Sequence, residues 1–536
     1  MLRYAAVGAG ALLSPVGFAR GAVRGPLLSD VRLMTRRPFD GDRASLATVG
    51  TAAGRQTVRL QFVLGRTAEV SFDTLVTGQG LGAEQLAEDA AQQTVGTRTL
   101  RLGPGRHVLD WAPDVTLQPR TYLLRLRVVD GAGVQAAQRT VVRVLGIDAG
   151  FRSAGVAAGD IAVLSVGTDA QQFAVQLLHC GAETEPTYAN DELKGVPVTE
   201  PIAINWARNA DRCGTIRLRI GADWPSGVYA ARLETDDGRI GFAPLVVRPA
   251  APQHRVAVVM PTSTWQAYNF YDADGDGWGD TWYARWRRIA VDTTRPHANR
   301  GVPYRFRSYD LQFLRWLVST GRQVDFYADE DLERFGSAAD LRAAYDLIAF
   351  PGHTEYVSTQ LYDLIAGYRD AGGNLMFLSA NNFFRRVDRG EGVVLLVDEW
   401  RSLDRPEATL CGVQYVAGDR GERHAAFTVT GLDVAPWAFE GTGLKQGAQF
   451  GMYGIEIDAL AWSSPPNTQV LARIPDLFGP GKSAEMTYYE HESGARVFSA
   501  GALNFGGQML LWPEATRIVE NVWQRLGGPP AVSPPT

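Results

Sequence analysis

The sequence contains few of the residues from which disulfide frameworks and common zinc sites are built. Among its 536 residues there are three cysteines and seven histidines. Three cysteines are too few for a disulfide scaffold, and seven histidines make a histidine-rich metal centre hard to assemble. The zinc-binding patterns H-E-x-x-H and paired C-x-x-C are also absent. Ordinary zinc sites therefore have no support in this chain.

A strong net charge and long apolar runs are also lacking. The formal net charge is -5, and this weak acidity argues against a nucleic-acid-binding protein, which would need a basic face. No later segment has the roughly 18 consecutive apolar residues of a membrane helix. The N-terminal stretch MLRYAAVGAGALLSPVGFARGA resembles a secretory signal, because an early arginine precedes a short apolar run that ends in small residues. We expect a globular protein without a membrane span, secreted or periplasmic if this segment is a leader and cytoplasmic otherwise.

Alternating apolar residues predict two β-sandwich-like domains in the first half of the chain. The runs TVRLQFVL, AEVSFDTLV and TYLLRLRVVD, separated by turn residues, predict a sandwich over residues 28–148 that resembles an immunoglobulin-like module. The runs IAVLSVG, QFAVQLL and GVYAARLE predict a second sandwich over residues 149–250. Residues 1–27 are expected to be a signal or disordered segment, and residues 529–536 a disordered tail.

The pattern changes over residues 251–528. The continuous apolar run HRVAVVMP predicts a buried strand, and DLQFLRWLVSTG and TQLYDLIAGYRDAGG predict helices that end at glycine. Further strands are expected at QVDFYAD, LRAAYDLIAFPG and NLMFLSANN. Strands that alternate with helices predict a parallel, doubly wound α/β domain, here with β-rich additions toward the C-terminus. A glutamine-amidotransferase-like fold suits these strands.

Two nucleophilic mechanisms lack their residues in this domain. Glutamine amidotransferases of this fold use a cysteine at a strand-to-helix turn, and none of the three cysteines follows a predicted strand in that way. The G-x-S-x-G elbow of the α/β-hydrolases is absent. A thiol or serine nucleophile is therefore disfavoured.

Polar side chains follow each of the four predicted strands of the α/β domain. In open α/β sheets, ligands bind outside the carboxyl ends of the strands. The turns TSTWQAYN, ADEDL, GHTEY and ANNFF occupy those positions. We expect their polar residues to cluster at one edge of the sheet: Tyr268, Asp329, His353, Glu355, Asn381 and Asn382.

The turn FPGHTEYVS admits three interpretations. His353 and Glu355 could hold a metal ion, act as acid and base, or occupy a strand-to-helix turn in which the glutamate is favourable to the helix dipole. Their position after a buried strand favours a functional role. Asn381 and Asn382 could contact a ligand or satisfy a turn.

An acidic loop, YDADGDGWGD, follows Tyr268 directly. Its aspartates match positions 1, 3, 5 and 9 of the D-x-D-x-D-G calcium pattern, but position 12 is Tyr283 rather than the usual glutamate. The loop is either a structural calcium site or a solvated acidic turn. The calcium ligands would be Asp272, Asp274, Asp276 and Asp280.

Two of the cysteines, Cys180 and Cys213, fall in the second predicted sandwich. They could form a disulfide, which would suit an oxidising compartment, or remain buried thiols.

Several motifs in order resemble the large-subunit family of N,N-dimethylformamidase: TWQAYN, GHTEYVS, AGGNLMFLSANNFF and VFSAGALNF, over roughly residues 160–507. The resemblance implies an α/β core with one iron ion held by two tyrosinates and a glutamate. By position, the matching ligands are Tyr229, Tyr268 and Glu355. It also implies roles for His353 beside the metal and for Asn381 or Asn382 at the substrate.

The resemblance further implies a catalytic glutamate near YYEHESG, where Glu490 and Glu492 both match. The expected function is a metal-dependent, iron-containing hydrolase of a small amide, working with a small partner subunit or as a homo-oligomer. The alternative is a secreted, non-catalytic protein whose β domains bind carbohydrate or another protein. For that alternative, Trp278, Trp282 and Trp286 would supply an aromatic surface.

Overall fold

The computed structural model describes residues 25–78, 92–284, 290–419 and 421–528. The predicted leader up to residue 24, Trp286 and the predicted tail lie outside the described residues. The described chain has several domains and is mostly β-sheet, arranged in several separate sheets. None of its described helices is long and apolar enough to cross a membrane.

The first eight strands form two sheets around one core. The sheet orders are β1-β3-β6 and β2-β8-β7-β4-β5. Alternate residues of the strands, such as Leu60 and Phe62 or Leu124 and Leu126, point into the shared core, as the two-residue period of a strand requires. The strands are β1 (Leu28–Met34), β2 (Leu46–Val49), β3 (Val58–Leu64), β4 (Ala68–Thr77), β5 (Gln92–Leu102), β6 (Gly105–Trp111), β7 (Arg120–Asp130) and β8 (Gln135–Val144).

The next nine strands form a second pair of sheets with its own core. One sheet has the order β10-β17-β16-β12-β13, with β14 also paired to β12, and the other has the order β15-β11-β9. Leu164, Val175 and Leu245 lie in the core between them. The strands are β9 (Asp148–Phe151), β10 (Gly155–Ala157), β11 (Ile161–Gly167), β12 (Gln172–His179), β13 (Val196–Pro197), β14 (Ile202–Asn205), β15 (Gly214–Arg219), β16 (Gly227–Thr235) and β17 (Ile240–Arg248).

The remaining chain is built on a mixed sheet of nine strands with the order β20-β18-β21-β23-β32-β31-β30-β27-β28. The first five run parallel. The strands are β18 (Val256–Met260), β19 (Ala290–Asp292), β20 (Asp325–Ala328), β21 (Leu347–Phe350), β22 (Tyr356–Ser358), β23 (Asn374–Phe377), β24 (Arg385–Gly390), β25 (Val393–Glu399), β26 (Gln414–Gly418), β27 (His424–Val429), β28 (Gln449–Gly454), β29 (Glu456–Ala459), β30 (Gln469–Ile474), β31 (Ala484–Glu490) and β32 (Arg496–Ser499).

Nine helices accompany this part of the described chain, and two smaller sheets, β19-β25-β24-β22 and β26-β29, lie beside the large one. The helices are α1 (Thr262–Ala267), α2 (Phe306–Tyr309), α3 (Leu311–Ser319), α4 (Asp329–Leu332), α5 (Ala338–Ala344), α6 (Thr359–Asp370), α7 (Ala408–Cys411), α8 (Phe505–Gln508) and α9 (Pro513–Gly527).

Strand β18 shows why this region has a continuous apolar sequence. Val258 packs in a core with Leu314 of α3 and Val522 of α9, whereas the next residue, Val259, packs in another core with Leu361 of α6. A parallel strand covered on both faces has no polar face and therefore no alternation. The closer likeness to glutamine amidotransferases stays a prediction.

The predicted Cys180–Cys213 disulfide is wrong for this structure, in which both thiols are free. Cys180 follows β12 and is buried in the core, while Cys213 precedes β15 in the opposite sheet and is exposed. Cys180 packs in a core with Leu178 and Val228, whereas Cys213 lies at the surface, so the two thiols have different surroundings.

Candidate active site

Three turns at the carboxyl ends of neighbouring strands bring the site residues together. Strands β18, β21 and β23 are adjacent in the sheet. Helix α1 follows β18 and ends at Tyr268, the turn after β21 carries His353 and Glu355, and the turn after β23 carries Asn381. The predicted clustering of these four residues follows from the parallel arrangement of the strands.

A carboxylate and three phenols form the centre of the site. The Tyr268 hydroxyl donates to Glu355 Oε2 over 2.6 Å, and the Tyr283 hydroxyl donates to the Tyr268 oxygen over 2.8 Å. The Tyr283 hydroxyl also contacts that of Tyr356. The backbone N–H of Glu355 donates to Thr264 Oγ1 over 3.1 Å, which fixes the turn against α1. The site therefore concentrates hard oxygen donors in one place.

His353 lies between two glutamates. Its Nε2 is 3.4 Å from Glu355 Oε2 and 3.5 Å from Glu456 Oε2. The Asn381 side chain donates to the same Glu456 oxygen over 2.8 Å. Glu456, the first residue of β29, was not among the predicted site residues, because the segment GIEIDAL carries no catalytic pattern and reaches the site only through the folding of the chain.

Burial governs the protonation of these groups. It raises the pKa of Glu355 to about 7, and burial together with the nearby Glu355 charge raises the pKa of Glu456 to about 8. Burial lowers the pKa of His353 to about 3, so its imidazole is neutral at physiological pH. The two carboxyl groups, which titrate near neutrality, can accept and release protons, and the neutral imidazole between them can accept a hydrogen bond.

Several buried polar atoms of the site have no hydrogen-bond partner within the described residues. They are Nε2 of His353 and the side-chain oxygens of Asn381 and Asn382. Asn381 also has a left-handed backbone with φ 54°, a conformation that non-glycine residues adopt mainly where the surrounding structure imposes it. Buried polar groups are normally satisfied. Unsatisfied ones at one place indicate that a ligand, ion or water belongs there.

A small cavity of about 10 Å³ adjoins the cluster. Aromatic rings make up much of its wall, so that little space is left for bulk water. Its wall includes Trp265, Tyr268, Tyr304, Tyr309, Asp310 and His353.

The donor set is chemically suited to an iron ion. Phenolate and carboxylate oxygens are hard anionic ligands of the kind that bind Fe(III), and Tyr268 and Glu355 already lie within one hydrogen bond of each other. Besides Tyr356, phenols against this pair belong to Tyr283, whose hydroxyl is bonded to that of Tyr268, and to Tyr304, whose ring stacks on that of Tyr268 at 5.8 Å between centroids. The residues present therefore fit a metal held by phenol and carboxylate oxygens.

Tyr229, the other predicted tyrosine ligand, does not join this cluster, and that expectation is wrong. Its hydroxyl donates to the Pro225 carbonyl over 2.8 Å. Its ring stacks between His179 and Trp224, and it belongs to the core of the second pair of sheets. The strand WPSGVYAARL places its tyrosine inward for packing.

Three other predicted acidic residues lie elsewhere. Glu490 is half exposed and pairs with Arg525 at 3.2 Å, and Glu492 is exposed. Neither reaches the cluster, because both lie at the far end of β31 and in the turn after it. Asp329 instead accepts hydrogen bonds from the Thr262 hydroxyl and the Ser263 backbone, which fixes the start of α1.

The acidic loop packs against the first pair of sheets. Asp272, Asp274 and Asp276 each offer a carboxylate oxygen within 4.8 Å of the others, and calcium binding there stays a prediction. Trp278 is 4% exposed, in a cluster with residues such as Leu123. Trp282 is buried as well. The expected aromatic binding surface is therefore wrong for these two tryptophans.

Comparison with solved structures gives only weak likeness. A crystal structure of Salmonella alpha-2-macroglobulin reacted with methylamine is 10% identical and covers 42% of this chain and 17% of that one, with a TM-score of 0.23. Escherichia coli alpha-2-macroglobulin activated by porcine elastase is 11% identical and covers 44% and 23%, also with a TM-score of 0.23. These values support no conclusion about fold or function.

Sequence comparison is more informative. The N,N-dimethylformamidase beta subunit of Paracoccus aminophilus is 25% identical over 303 residues, covering 45% of this chain and 39% of the relative. The chain thus spans well under half the length of that relative. The family described as N,N-dimethylformamidase beta subunit-like, C-terminal matches residues 183–517. That range contains every residue of the cluster, and the chain belongs to this family.

Proposed function

We propose that this protein is an iron-dependent hydrolase that cleaves the C–N bond of a small linear amide. The observation that carries the proposal is the contact of Tyr268 and Glu355 beside a buried, neutral His353 whose Nε2 has no hydrogen-bond partner among the described residues. Membership of the dimethylformamidase family supports the amide as substrate class.

Tyr268 and Glu355 would hold the iron, and the third protein ligand would come from the adjacent phenols, with Tyr283 and Tyr304 the candidates. When bound, the ion would supply Lewis-acid polarisation of the amide carbonyl and a lowered pKa for a water molecule. The ring of Tyr304 stacks on that of Tyr268 and its hydroxyl accepts from the Arg305 guanidinium over 3.1 Å.

Glu456 would move the protons, and His353 would help to position it. The neutral imidazole can accept a hydrogen bond at Nε2, the atom that faces both glutamates, from a protonated carboxyl group. Glu456 is held by the Asn381 amide over 2.8 Å, and its raised pKa lets it deliver a proton to the departing amine near neutral pH. In this role Glu456 takes the place that Glu490 and Glu492 were expected to fill.

The small aromatic cavity favours a small substrate. A space of about 10 Å³ holds about one water molecule, so an amide would enter only with movement of the surrounding side chains. It also keeps bulk water away from the reacting groups. Both features favour a short, uncharged amide over a peptide.

A partner is part of the proposal. The curated relative is named a beta subunit, and this chain spans 39% of it. We propose that the chain works with a small partner subunit or as a homo-oligomer.

The direct test is amine release from a panel of small formamides and acetamides by purified protein supplied with ferric or ferrous iron. Glu355→Gln removes a proposed ligand at nearly constant volume and should abolish turnover and bound iron together. Glu490→Gln is the matched control, because Glu490 lies half exposed at the surface. Turnover that survives Glu355→Gln, or that disappears equally in Glu490→Gln, would contradict the assignment of the site.

A further inference from the structure

A second, much larger cavity lies on the other side of α1. Its volume is about 350 Å³, within the range of small-molecule sites. Its wall combines the β9–β10 region of the second pair of sheets with the turns after β18 and β20. Interfaces between domains and the carboxyl ends of parallel strands are both preferred places for ligands. Nothing in the proposed hydrolysis uses this space.

Two buried polar side chains in its wall lack partners among the described residues. Ser263 is 1% exposed and its Oγ has no hydrogen bond, although its backbone N–H donates to Asp329. His297 is 8% exposed and its Nδ1 has no hydrogen bond. Since buried polar atoms normally find partners, both atoms indicate a missing ligand.

The neighbours of His297 set the direction of its missing hydrogen bond. The Gln266 side-chain nitrogen lies 3.5 Å from His297 Nε2, and its orientation is fixed because the Gln266 oxygen accepts from Asn269 over 2.9 Å. An amide nitrogen can only donate, so Nε2 is the acceptor. Burial and the charge of Arg295 lower the pKa of His297 to about 3, so the ring is neutral and its proton lies on Nδ1. The unpartnered Nδ1 is therefore a donor.

The arginine side of the cavity can meet the charge of an anionic ligand. Four arginines line the cavity, together with the two glutamates Glu330 and Glu333. Arg389 pairs with Glu333 and Asp329, and Arg334 pairs with Asp331. The buried Arg295 donates to the Gln266 backbone carbonyl over 2.8 Å, so the exposed Arg152 is the arginine placed to meet the charge of a ligand. The arginines are Arg152, Arg295, Arg334 and Arg389.

Apolar groups complete the wall and indicate the rest of the ligand. Phe151, Pro244 and Trp265 line the same cavity. A ligand that fits would offer hydrogen-bond acceptors to the serine and histidine, a negative charge to the arginine side, and a small apolar body to these three residues. We propose that this cavity is a binding site for a small organic carboxylate, separate from the Tyr268–Glu355 site.

The test is calorimetric titration of the full-length protein with benzoate, with benzyl alcohol as the uncharged comparison. Saturable binding of benzoate and none of benzyl alcohol at the same concentrations is expected. Ser263→Ala and His297→Phe each remove one donor while keeping most of the packing. Each should weaken benzoate binding about tenfold, the usual effect of losing a hydrogen bond to a charged group.

Two further variants separate this site from the proposed active site. Glu355→Gln should leave benzoate binding unchanged, because Glu355 does not line the cavity. Arg208→Gln, at an exposed arginine outside the cavity wall, is the charge control. The proposal is overturned if benzoate shows no saturable binding or if benzyl alcohol binds equally well. It is also overturned if Ser263→Ala and His297→Phe have no effect, or if Glu355→Gln abolishes binding. Absence of amide hydrolysis would leave these outcomes unaffected.

Discussion

Tyr229 and Tyr268, two tyrosines of neighbouring domains, differ in their surroundings. The hydroxyl of Tyr229 donates to a backbone carbonyl, and its ring is stacked between two other rings. The hydroxyl of Tyr268 donates to a carboxylate and accepts from another phenol, beside a histidine with an unsatisfied nitrogen. The first environment is complete without a ligand and the second is not.

The direction of the pKa shift does not separate the two residues. Burial is the main cause that raises the pKa of Tyr229 and also of Tyr268. What separates them is the chemistry of their partners, since a backbone carbonyl cannot change its charge and a carboxylate can. Partner type is therefore the better guide to function in this protein.

The largest expected difference comes from removing the two hydroxyls in turn. Tyr268→Phe should lower amide hydrolysis about a thousandfold and remove most bound iron, because a ligand worth several kcal/mol is lost. Hydrolysis rates and iron content of the purified variant measure this effect. A Tyr268→Phe protein with full iron content would contradict the ligand role.

Glu456→Gln should have the next largest effect. The variant keeps the hydrogen bond to Asn381 but cannot transfer a proton, so kcat should fall about a hundredfold. Iron content should stay at the level of the unmodified protein, because Glu456 is placed in proton transfer and not in metal binding. Steady-state kinetics and metal analysis of the same sample check both parts, and a loss of iron would move Glu456 into the ligand set.

The Tyr268 region should also carry a cost in stability that the Tyr229 region lacks. Asp310 lines the small cavity. Within the described part of the chain, one carboxylate oxygen accepts from Trp265 Nε1 at 3.3 Å and the other has no partner. Burial raises its pKa to about 8. Above about pH 4 the carboxyl group of Asp310 is therefore protonated in the folded state and ionised in the unfolded state. The free energy of unfolding falls as the pH rises from about 4 toward 8.

Asp310→Asn removes that dependence. The variant should match the unmodified protein near pH 4 and exceed its free energy of unfolding by several kcal/mol at pH 8, because each unit of the pKa shift is worth about 1.4 kcal/mol. Urea unfolding at the two pH values measures the difference. The measured quantity is the free energy of unfolding of Asp310→Asn minus that of the unmodified protein. If this difference is smaller at pH 8 than at pH 4, Asp310 is stabilised as a carboxylate.

Tyr229→Phe should have the smallest effect. It removes one hydrogen bond to a carbonyl and should lower the free energy of unfolding by about 1 kcal/mol. Iron content and hydrolysis should not change. A loss of iron in this variant would restore Tyr229 to the site and remove the distinction between the two tyrosines.

The sequence could predict the residues that depend on strand ends. The clustering of Tyr268, His353, Glu355 and Asn381 could be predicted because each follows an apolar strand, and adjacent parallel strands present their carboxyl ends at one edge. Four of the five parallel strands were predicted from the same apolar runs. Local patterns were sufficient for these features.

Other features depend on contacts that no local pattern encodes. Glu456 meets Asn381 across a separation of 75 residues, and Tyr283 reaches the site after the acidic loop. The inward direction of Tyr229 and the placement of Cys180 and Cys213 in opposite sheets depend on how whole sheets pack. The missed residues and the wrong predictions both occur where the packing of distant segments, rather than the order of strands, determines which side chains are in contact.

The most direct test of the central claim is a visible absorption spectrum of the freshly purified protein, with metal content determined on the same sample. The account predicts a broad phenolate-to-iron charge-transfer band and about one iron per chain, since ferric iron keeps phenols ionised well below their ordinary pKa. The band should disappear in Tyr268→Phe and persist in Tyr229→Phe. A colourless, iron-free protein after growth and purification with ample iron would contradict the account.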